Sequence, residues 1–415
     1  MSSKARLTLQ VKLDLDIIAR QIPTQRILEL SLLAPAAAVR QGRSRLNLAL
    51  VLDRSGSMSG EKLEYVKKAA SHLVGVLQEG DRVAVIAYDS EVSVLSPSVM
   101  MTPSIQVGLQ QKIAALDAGN MTYLSGGWLQ GCQEVAQSVE ENQLNRVLLL
   151  TDGLANEGIT DLEELGSHAR QLSARGVSTS TFGVGEGFNE HLLEHMANQG
   201  GGAFYYIASP HEIPDIFLRE LNEMVAITAR QAEISIQVPA AVSVQVLGDW
   251  RIDQNGGRAG QQRILLGDLA AGHRQEVFVK LLTPPSSEVE NISILVSARA
   301  VDETGKLQEC RKEVTLTYQP QDQVQQAEPD REVLGRYSEV EMATITNRAL
   351  KLERDGLREE ASQAVVMGIA ANAPYMSAEN SSKYEQLSNR MKEGMDESER
   401  KINHYESYLN RKRRN

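Results

Sequence analysis

Hydrophobic and polar positions alternate with a period of two on both sides of a long central region. Residues 6–16 place an apolar side chain at every second position, which predicts a half-buried strand, and a second strand is expected near residues 26–33. The same period returns after about residue 230 in six segments separated by Gly, Pro and Asn turns: 232–238, 242–247, 263–266, 276–282, 292–300 and 312–318. These segments together predict a β-sandwich.

The central region, residues 46–227, follows a different pattern, in which short apolar runs alternate with helical spacing. The predicted strands are 46–52, 81–88, 146–150, 177–184 and 203–207, and the predicted helices are 61–78, 105–116, 126–139, 160–175, 189–199 and 211–225. This alternation predicts a doubly wound, Rossmann-like α/β domain, with a parallel sheet covered by helices on both faces. Ligands of such sheets bind beyond the carboxyl ends of the strands.

The order of the patterns predicts an α/β domain inserted in an all-β sandwich and followed by an α-helical C-terminal region. The expected segments are 1–45 for the first sandwich strands, 46–227 for the α/β domain, 228–320 for the remaining strands, 321–330 for a polar linker and 331–415 for the helices. A helix hairpin is expected over 331–371 with a break near Asp355–Gly356, and one long helix over 381–414. We expect the thin apolar stripe of that long helix either to pack on the sandwich or to pair with another chain.

Composition narrows the classes of function. The chain carries 43 Lys and Arg against 54 Asp and Glu, and the resulting net charge of −11 disfavours a general nucleic-acid binder. The sequence lacks the apolar runs of a signal peptide or a membrane span, so we expect a cytoplasmic protein. Cys132 and Cys310 lie in different predicted domains and are expected to be reduced thiols. The basic residues 411–414 are expected to form a solvated end or to contact an anionic partner.

Candidate chemistry begins where the first strand of the α/β domain ends. The segment V-L-D-R-S-G-S-M-S-G places Asp53, Ser55 and Ser57 at alternate positions, and Gly56 allows the backbone to turn tightly. A carboxylate and two hydroxyls are hard oxygen ligands, which suit Mg²⁺, Mn²⁺ or Ca²⁺ rather than zinc. The alternative is a helix N-cap, in which a Ser or Asp side chain accepts hydrogen bonds from free N–H groups.

Two further positions favour the metal site. Asp152 ends a later strand in L-L-L-T-D-G, and Thr122 lies in the glycine-rich segment D-A-G-N-M-T-Y-L-S-G-G. All three loops are expected at the same end of the sheet. Two carboxylates balance a divalent cation, and Mg²⁺ takes about six oxygens. The protein groups therefore leave a position that an Asp or Glu side chain of a partner protein can fill.

The sequence D-R-S-G-S from Asp53, with Thr122 and T-D-G at Asp152, resembles the metal-ion-dependent adhesion site of the von Willebrand factor A family. The flanking strands make the arrangement similar to the inter-alpha-trypsin inhibitor heavy chain type and its bacterial relatives. The resemblance implies a protein-binding domain whose metal, Mg²⁺ or alternatively Mn²⁺ or Ca²⁺, is held by five residues: Ser55 and Ser57 through hydroxyls, Asp53 and Asp152 directly or through water, and Thr122 in the high-affinity state.

The resemblance also implies a conformational change. In the family the closing helix, here from His211 to Val225, often shifts with affinity. One position departs from the family pattern, because Tyr123 follows Thr122 where Asn or Ala is frequent. Ser125 is the alternative hydroxyl if the loop differs.

We therefore expect a non-enzymatic, cation-dependent scaffold that binds a protein carboxylate. The alternative is a structural homo-oligomer or filament that assembles through the C-terminal helices, and a metal-dependent hydrolase is less favoured. A haloacid-dehalogenase-type phosphatase needs a second acid where Ser55 stands. The zinc-protease pattern H-x-x-E-H from His191 to His195 is short enough to arise by chance.

Overall fold

The computed structural model describes residues 6–36, 43–140, 143–253 and 260–413. The strands are β1 (Thr8–Leu13), β2 (Ile17–Ala19), β3 (Thr24–Leu33), β4 (Arg45–Asp53), β5 (Arg82–Tyr88), β6 (Val92–Met100), β7 (Gln143–Thr151), β8 (Val177–Val184), β9 (Gly201–Ile207), β10 (Ile227–Gln237), β11 (Ser243–Val246), β12 (Arg251–Asp253), β13 (Gln261–Ala270), β14 (Arg274–Thr283), β15 (Asn291–Asp302) and β16 (Leu307–Gln319). The helices are α1 (Glu61–Val76), α2 (Pro103–Ala114), α3 (Leu124–Ala136), α4 (Leu162–Ala174), α5 (Glu190–Gly200), α6 (Ile213–Val225), α7 (Gln321–Gln326), α8 (Arg331–Arg354), α9 (Arg358–Asn372), α10 (Ala378–Glu393) and α11 (Glu397–Lys412).

The chain divides into two compact units, and the first combines the sandwich with the C-terminal helices. Its two sheets have the strand orders β1-β3-β14-β11 and β12-β13-β10-β15-β16-β2. The period-two pattern identified eight of these strands and missed the two three-residue strands, β2 and β12. Alternate residues of both sheets form one shared core, because successive side chains of a strand point to opposite faces.

The second unit is an α/β unit, from β4 to α6, built on a six-stranded sheet with the order β6-β5-β4-β7-β8-β9. The strands from β4 to β9 are parallel except for β6, which pairs antiparallel with β5 at the edge. The prediction of a doubly wound domain is confirmed. The sheet is mixed rather than fully parallel, because it includes the antiparallel edge strand β6, which was not predicted. Pro97 lies in β6, and a strand edge is where a sheet tolerates a residue without an N–H group.

The two central strands, β4 and β7, position the candidate residues. Both are buried almost throughout, and they pair in parallel with Leu52 opposite Leu150. Their last residues, Asp53 and Thr151, therefore reach the same edge of the sheet. Helix α3 packs closely on this pair, because Gly131 has no side chain: a Cβ there would lie only 2.4 Å from Val51.

The C-terminal helices differ from the sequence prediction in two places. The helix hairpin is present as α8 and α9, and the break falls at Gly356, whose φ of 83° favours glycine. The single long helix predicted over 381–414 is wrong. It is two helices, α10 and α11, separated at Gly394 with a φ of 99°, and Asp396 begins α11 with a capping box to Glu399. The predicted linker contains the short helix α7.

The expectation of a solvated basic end is also wrong for the part of the tail that the structure describes. Arg411 is buried and pairs with Asp249, and Lys412 lies with its amine 4.1 Å from the centre of the Trp250 ring. These contacts attach the end of α11 to the sandwich. Among the described residues, no helix combines the length and the apolar character that a membrane span requires.

Candidate metal centre

The first residue of the candidate site is Asp53, which is fully buried at the end of β4. Its carboxylate accepts two hydrogen bonds. The N–H of Ser55 donates to Oδ1 at 2.8 Å, and the hydroxyl of Thr151 donates to Oδ2 at 2.6 Å. Each oxygen has a second lone pair, so the carboxylate is held in place and can still contact a cation.

Ser55 directly precedes a short 3-10 turn, Gly56–Met58, and Ser57 lies within that turn. The side chain of Ser55 makes no capping hydrogen bond at this turn, which contradicts the N-cap alternative. Its Oγ lies instead 3.2 Å from Oγ of Ser57, within hydrogen-bond distance. Ser55 is buried and Ser57 is exposed, so the pair connects the interior of the site to solvent.

The second carboxylate, Asp152, is buried directly after β7. Its Oδ1 accepts a 2.6 Å hydrogen bond from the hydroxyl of Ser57. Its Oδ2 forms an ion pair with the amine of Lys62, the second residue of α1. Four of the five candidate residues are thus connected, from Asp53 through Ser55 and Ser57 to Asp152.

The fifth candidate, Thr122, lies on a loop that is fastened on both sides. On one side, the N–H of Gly56 donates to the carbonyl of Asn120 at 2.8 Å. On the other, the N–H of Thr122 donates to Oδ1 of Asn156 at 3.0 Å. A Cβ built on Gly153 would lie 3.4 Å from Oγ1 of Thr122 and 3.6 Å from Oγ of Ser57. The Thr122 hydroxyl therefore lies near the same opening as the Ser57 hydroxyl.

The electrostatics of the site favour an added positive charge. Burial raises the pKa of Asp53 to about 6, the hydrogen bonds from Ser55 and Thr151 oppose this increase, and the Asp152 carboxylate adds to it. A carboxyl group with a raised pKa is one whose negative charge is poorly compensated by its surroundings. A cation at the opening would supply that compensation.

The sequence-family model of the von Willebrand factor type A domain matches residues 47–219, which contain all five candidate residues. The α/β unit is a von Willebrand factor type A domain. The resemblance drawn from the sequence is therefore confirmed, and we refer to this unit as the VWA domain. The match leaves the sandwich and the C-terminal helices outside the VWA model.

The chain is also similar to individual proteins, over different shares of its length. The uncharacterized protein sll0103 of Synechocystis sp. is 28% identical over 354 residues, which are 81% of this chain and 82% of that protein. Inter-alpha-trypsin inhibitor heavy chain H3 of Homo sapiens is 30% identical over 162 residues, which are 38% of this chain and only 18% of that protein. A solved structure, the von Willebrand factor type A from Catenulispora acidiphila, has a TM-score of 0.69 at 15% identity and covers 90% of this chain and 89% of its own. At that identity the likeness shows the fold alone.

The departure at Tyr123 is accommodated by glycines. A Cβ on Gly126 would lie 2.6 Å from the Tyr123 ring, and a Cβ on Gly158 only 2.2 Å from it. The ring thus occupies space beside the start of α3 that side chains at these two positions would take. The alternative hydroxyl, Ser125, accepts a 3.0 Å hydrogen bond from the N–H of Ile159. Ser125 therefore fixes the loop after β7.

Sequence reasoning missed three residues that hold the candidate ligands. They are Thr151 on Asp53, Lys62 on Asp152 and Asn156 on the backbone of Thr122. Thr151 had a usable signal, since it ends its strand directly before Asp152. Lys62 and Asn156 had none, because each reaches a residue on another loop.

Two other features noted in the sequence, the H-x-x-E-H segment and the closing helix, make contacts within the VWA domain. Nε2 of His195 on α5 lies 3.9 Å from a carboxylate oxygen of Glu163 on α4, so this ring of the H-x-x-E-H segment faces a neighbouring helix. The closing helix α6 is attached to the sheet by a buried ion pair, with Arg146 of β7 donating to Glu220 at 2.9 Å. If α6 shifts, Arg146 must move with Glu220 or their ion pair must break.

Proposed function

We propose that this chain is a cation-dependent scaffold, which binds an Asp or Glu side chain of a partner protein at the carboxyl edge of the VWA sheet. The observation that carries the proposal is the pair of buried carboxylates, Asp53 and Asp152, which are connected through Ser55 and Ser57. The N–H of Ser55 donates to Asp53, the two serine hydroxyls contact each other, and the Ser57 hydroxyl donates to Asp152. Buried carboxylates on neighbouring loops need compensating positive charge. An adhesion site of the VWA type is the role that best explains this arrangement.

The donor set fits a hard divalent cation. Two carboxylates and the hydroxyls of Ser55, Ser57 and Thr122 would hold it, and all of these groups are oxygen donors. We propose Mg²⁺, with Mn²⁺ or Ca²⁺ as alternatives, because zinc sites favour nitrogen and sulfur ligands. When bound, the cation would supply the positive charge to which a partner carboxylate attaches.

The surroundings of the site support a protein partner. Asp53 and Asp152 are buried, whereas Ser57 is exposed beside them. Two large apolar side chains next to the candidate ligands, Met121 and Leu154, are also exposed. The centre of a protein interface is richer in apolar side chains than the rest of the surface, and Met121 and Leu154 would supply such contacts beside the cation.

A thermal-shift titration tests the cation site. Mg²⁺ at about 100 times its Kd should stabilise the wild-type chain by roughly 2.7 kcal/mol, because the cation binds the native state. The Ser55→Ala/Ser57→Ala variant should lose most of this increase in melting temperature. Ser59→Ala is the matched control, since Ser59 is exposed just after the same turn. A wild-type melting temperature that does not respond to Mg²⁺, Mn²⁺ or Ca²⁺ would contradict the proposal.

A pull-down from lysate of the source cell tests the partner. Wild-type protein with Mg²⁺ should retain a protein that is lost in EDTA and lost with the double serine variant. Changing the responsible Asp or Glu of that protein to its amide should abolish retention. Equal retention under all conditions would place the binding surface elsewhere on the chain.

One observation favours the structural alternative as a second candidate. On α9, the neighbouring side chains of Val366 and Met367 are exposed. If the chain assembles through the C-terminal helices, Met367→Glu should reduce the oligomer measured by light scattering, and EDTA should not. If assembly instead uses a neighbour's acidic residue in the cation site, EDTA should dissociate it.

A further inference from the structure

Lys62 places a positive charge at the rim of the candidate metal centre. It is the second residue of α1, and its amine contacts Oδ2 of Asp152. The other oxygen of that carboxylate accepts the hydrogen bond from Ser57. The Lys62 side chain is 32% exposed, while that of Asp152 is fully buried. The ammonium group therefore approaches the site from its rim and pairs with the buried acid.

This ion pair differs from an ordinary surface pair on the same helix. Lys67 contacts Glu64 at 3.0 Å, but Glu64 is 61% exposed and water can replace its partner. Asp152 is fully buried, so water cannot take the place of Lys62. Removal of the lysine would leave a buried carboxylate without a compensating charge. Lys62 thus stabilises the charge of Asp152 whenever a metal cation is not there to do so.

We propose, on the basis of the function proposed above, that Lys62 is a built-in counter-cation that competes with the divalent cation for Asp152. An ammonium group and a metal cation on one carboxylate repel each other. The lysine lowers the affinity of the site for the metal and keeps Asp152 in position without it. Lys62 therefore sets the cation concentration at which the scaffold becomes competent to bind a carboxylate.

Calorimetric titration of the metal-free 415-residue chain with Mn²⁺, and separately with Mg²⁺, tests this role. Lys62→Met should bind the metal about tenfold more tightly, the effect of about one pairwise charge interaction. Lys62→Arg keeps the charge and should resemble the wild type, as should Lys67→Met, the matched control on α1. The increase in metal affinity caused by Lys62→Met should become smaller as salt is added, because the amine of Lys62 is partly exposed and its charge is screened.

Thermal melting gives a second readout. In EDTA, Lys62→Met should melt below the wild type, because Asp152 has lost its counter-charge. With saturating Mn²⁺ the deficit should disappear. If Lys62→Met does not yield folded protein, Lys62→Gln carries the same expectations.

The outcomes separate this inference from the function on which it rests. If the wild type binds the metal and Lys62→Met binds it equally or more weakly, Lys62 is only a support for Asp152, and the inference is overturned while the proposed function stands. If only Lys62→Met binds the metal, the competition between Lys62 and the cation is supported, but the function proposed for the wild-type chain fails. If no variant binds Mn²⁺ or Mg²⁺, both the proposed function and the inference fail.

Discussion

The hydroxyl of Thr151 donates a 2.6 Å hydrogen bond to Oδ2 of Asp53, and both residues are fully buried. They end the neighbouring parallel strands β7 and β4, so the pairing of the two strands aligns the donor with the acceptor. The bond holds the Asp53 carboxylate in place. Even with this bond, burial keeps the pKa of Asp53 at about 6.

The raised pKa of Asp53 predicts how stability depends on pH in metal-free protein. Because the ordinary value is 3.8, the folded chain retains this proton at pH values where the unfolded chain has released it. The free energy of unfolding should therefore fall as pH rises from about 4 to about 6, by at most roughly 3 kcal/mol. Urea denaturation in EDTA should show this fall in the wild type and a smaller fall in Asp53→Asn. Parallel profiles for the two proteins would contradict the assignment.

Removing the Thr151 hydroxyl should weaken the site from within. Thr151→Val keeps the shape of the side chain but removes the donor to Asp53, and it should destabilise the metal-free chain by about 1–2 kcal/mol near neutral pH. Thr151→Ser retains a hydroxyl and is the control. Urea denaturation in EDTA measures the difference between the two variants. A Thr151→Val variant as stable as Thr151→Ser would mean that the hydrogen bond contributes nothing.

Periodicity identified most of the fold, since alternation of apolar residues reports directly on which faces are buried. It failed at β6, where Pro97 and three serines interrupt the apolar pattern of an edge strand. It also failed at Gly394. The polar character of the sequence continues across that residue, so periodicity does not record the break between α10 and α11. The break is marked instead by Gly394 and by the capping box from Asp396 to Glu399.

The residues proposed as metal ligands stood out in the sequence because their types and their positions at strand ends carry the chemistry. The residues that hold them did not. Lys62 and Asn156 each act on a residue on a different loop, at separations of 90 and 34 positions. Such contacts depend on how loops meet at the sheet edge, and no local pattern records that. The buried Arg411 was missed because its partner, Asp249, is likewise far from it in the sequence.

The contact between Tyr123 and Gly126 predicts a strong coupling between the two positions. Gly126→Ala places a Cβ 2.6 Å from the Tyr123 ring, so the ring and the Thr122 loop must shift. The variant should lose about 1–3 kcal/mol of stability, the usual effect of overpacking, and should bind Mg²⁺ more weakly. In a Tyr123→Ala background the same change should be tolerated.

Gly108→Ala supplies the control for Gly126→Ala. Gly108 lies within α2, where an added Cβ has nothing within 4 Å, so alanine should stabilise the chain by about 0.5–1 kcal/mol. Urea denaturation of the single and double variants measures the coupling. Additive effects of Gly126→Ala and Tyr123→Ala would show that the ring does not limit this helix.

The ion pair that attaches α6 to the sheet should be essential for the VWA domain. Glu220 accepts hydrogen bonds from Arg146 at 2.9 Å, Ser180 at 2.6 Å and Tyr205 at 2.6 Å, and it is fully buried. Glu220→Gln removes the negative charge and should cost about 3–5 kcal/mol, because the Arg146 charge stays buried. The control is Glu223→Gln, since Glu223 is only partly buried on the same helix. A loss below 1 kcal/mol for Glu220→Gln would show that Arg146 finds compensation elsewhere.

Two lysines of the C-terminal helices have different surroundings, and we expect them to contribute very differently to the stability of the chain. The amine of Lys412 donates to the carbonyl of Asp249 at 2.6 Å and lies over the Trp250 ring, whereas Lys392 on α10 is half exposed and 3.6 Å from Glu359.

Lys412→Ala should therefore destabilise the chain by about 2 kcal/mol, because it removes both a charged hydrogen bond and a cation–π contact. Lys392→Ala should change the stability by no more than about 0.5 kcal/mol, as expected for a surface pair. Urea denaturation of both variants, followed through tryptophan fluorescence, measures the contrast, and Trp250 should report the loss at Lys412 directly. Equal stabilities would mean that the end of α11 is solvated, as the sequence alone had suggested, and that its contacts with the sandwich contribute nothing.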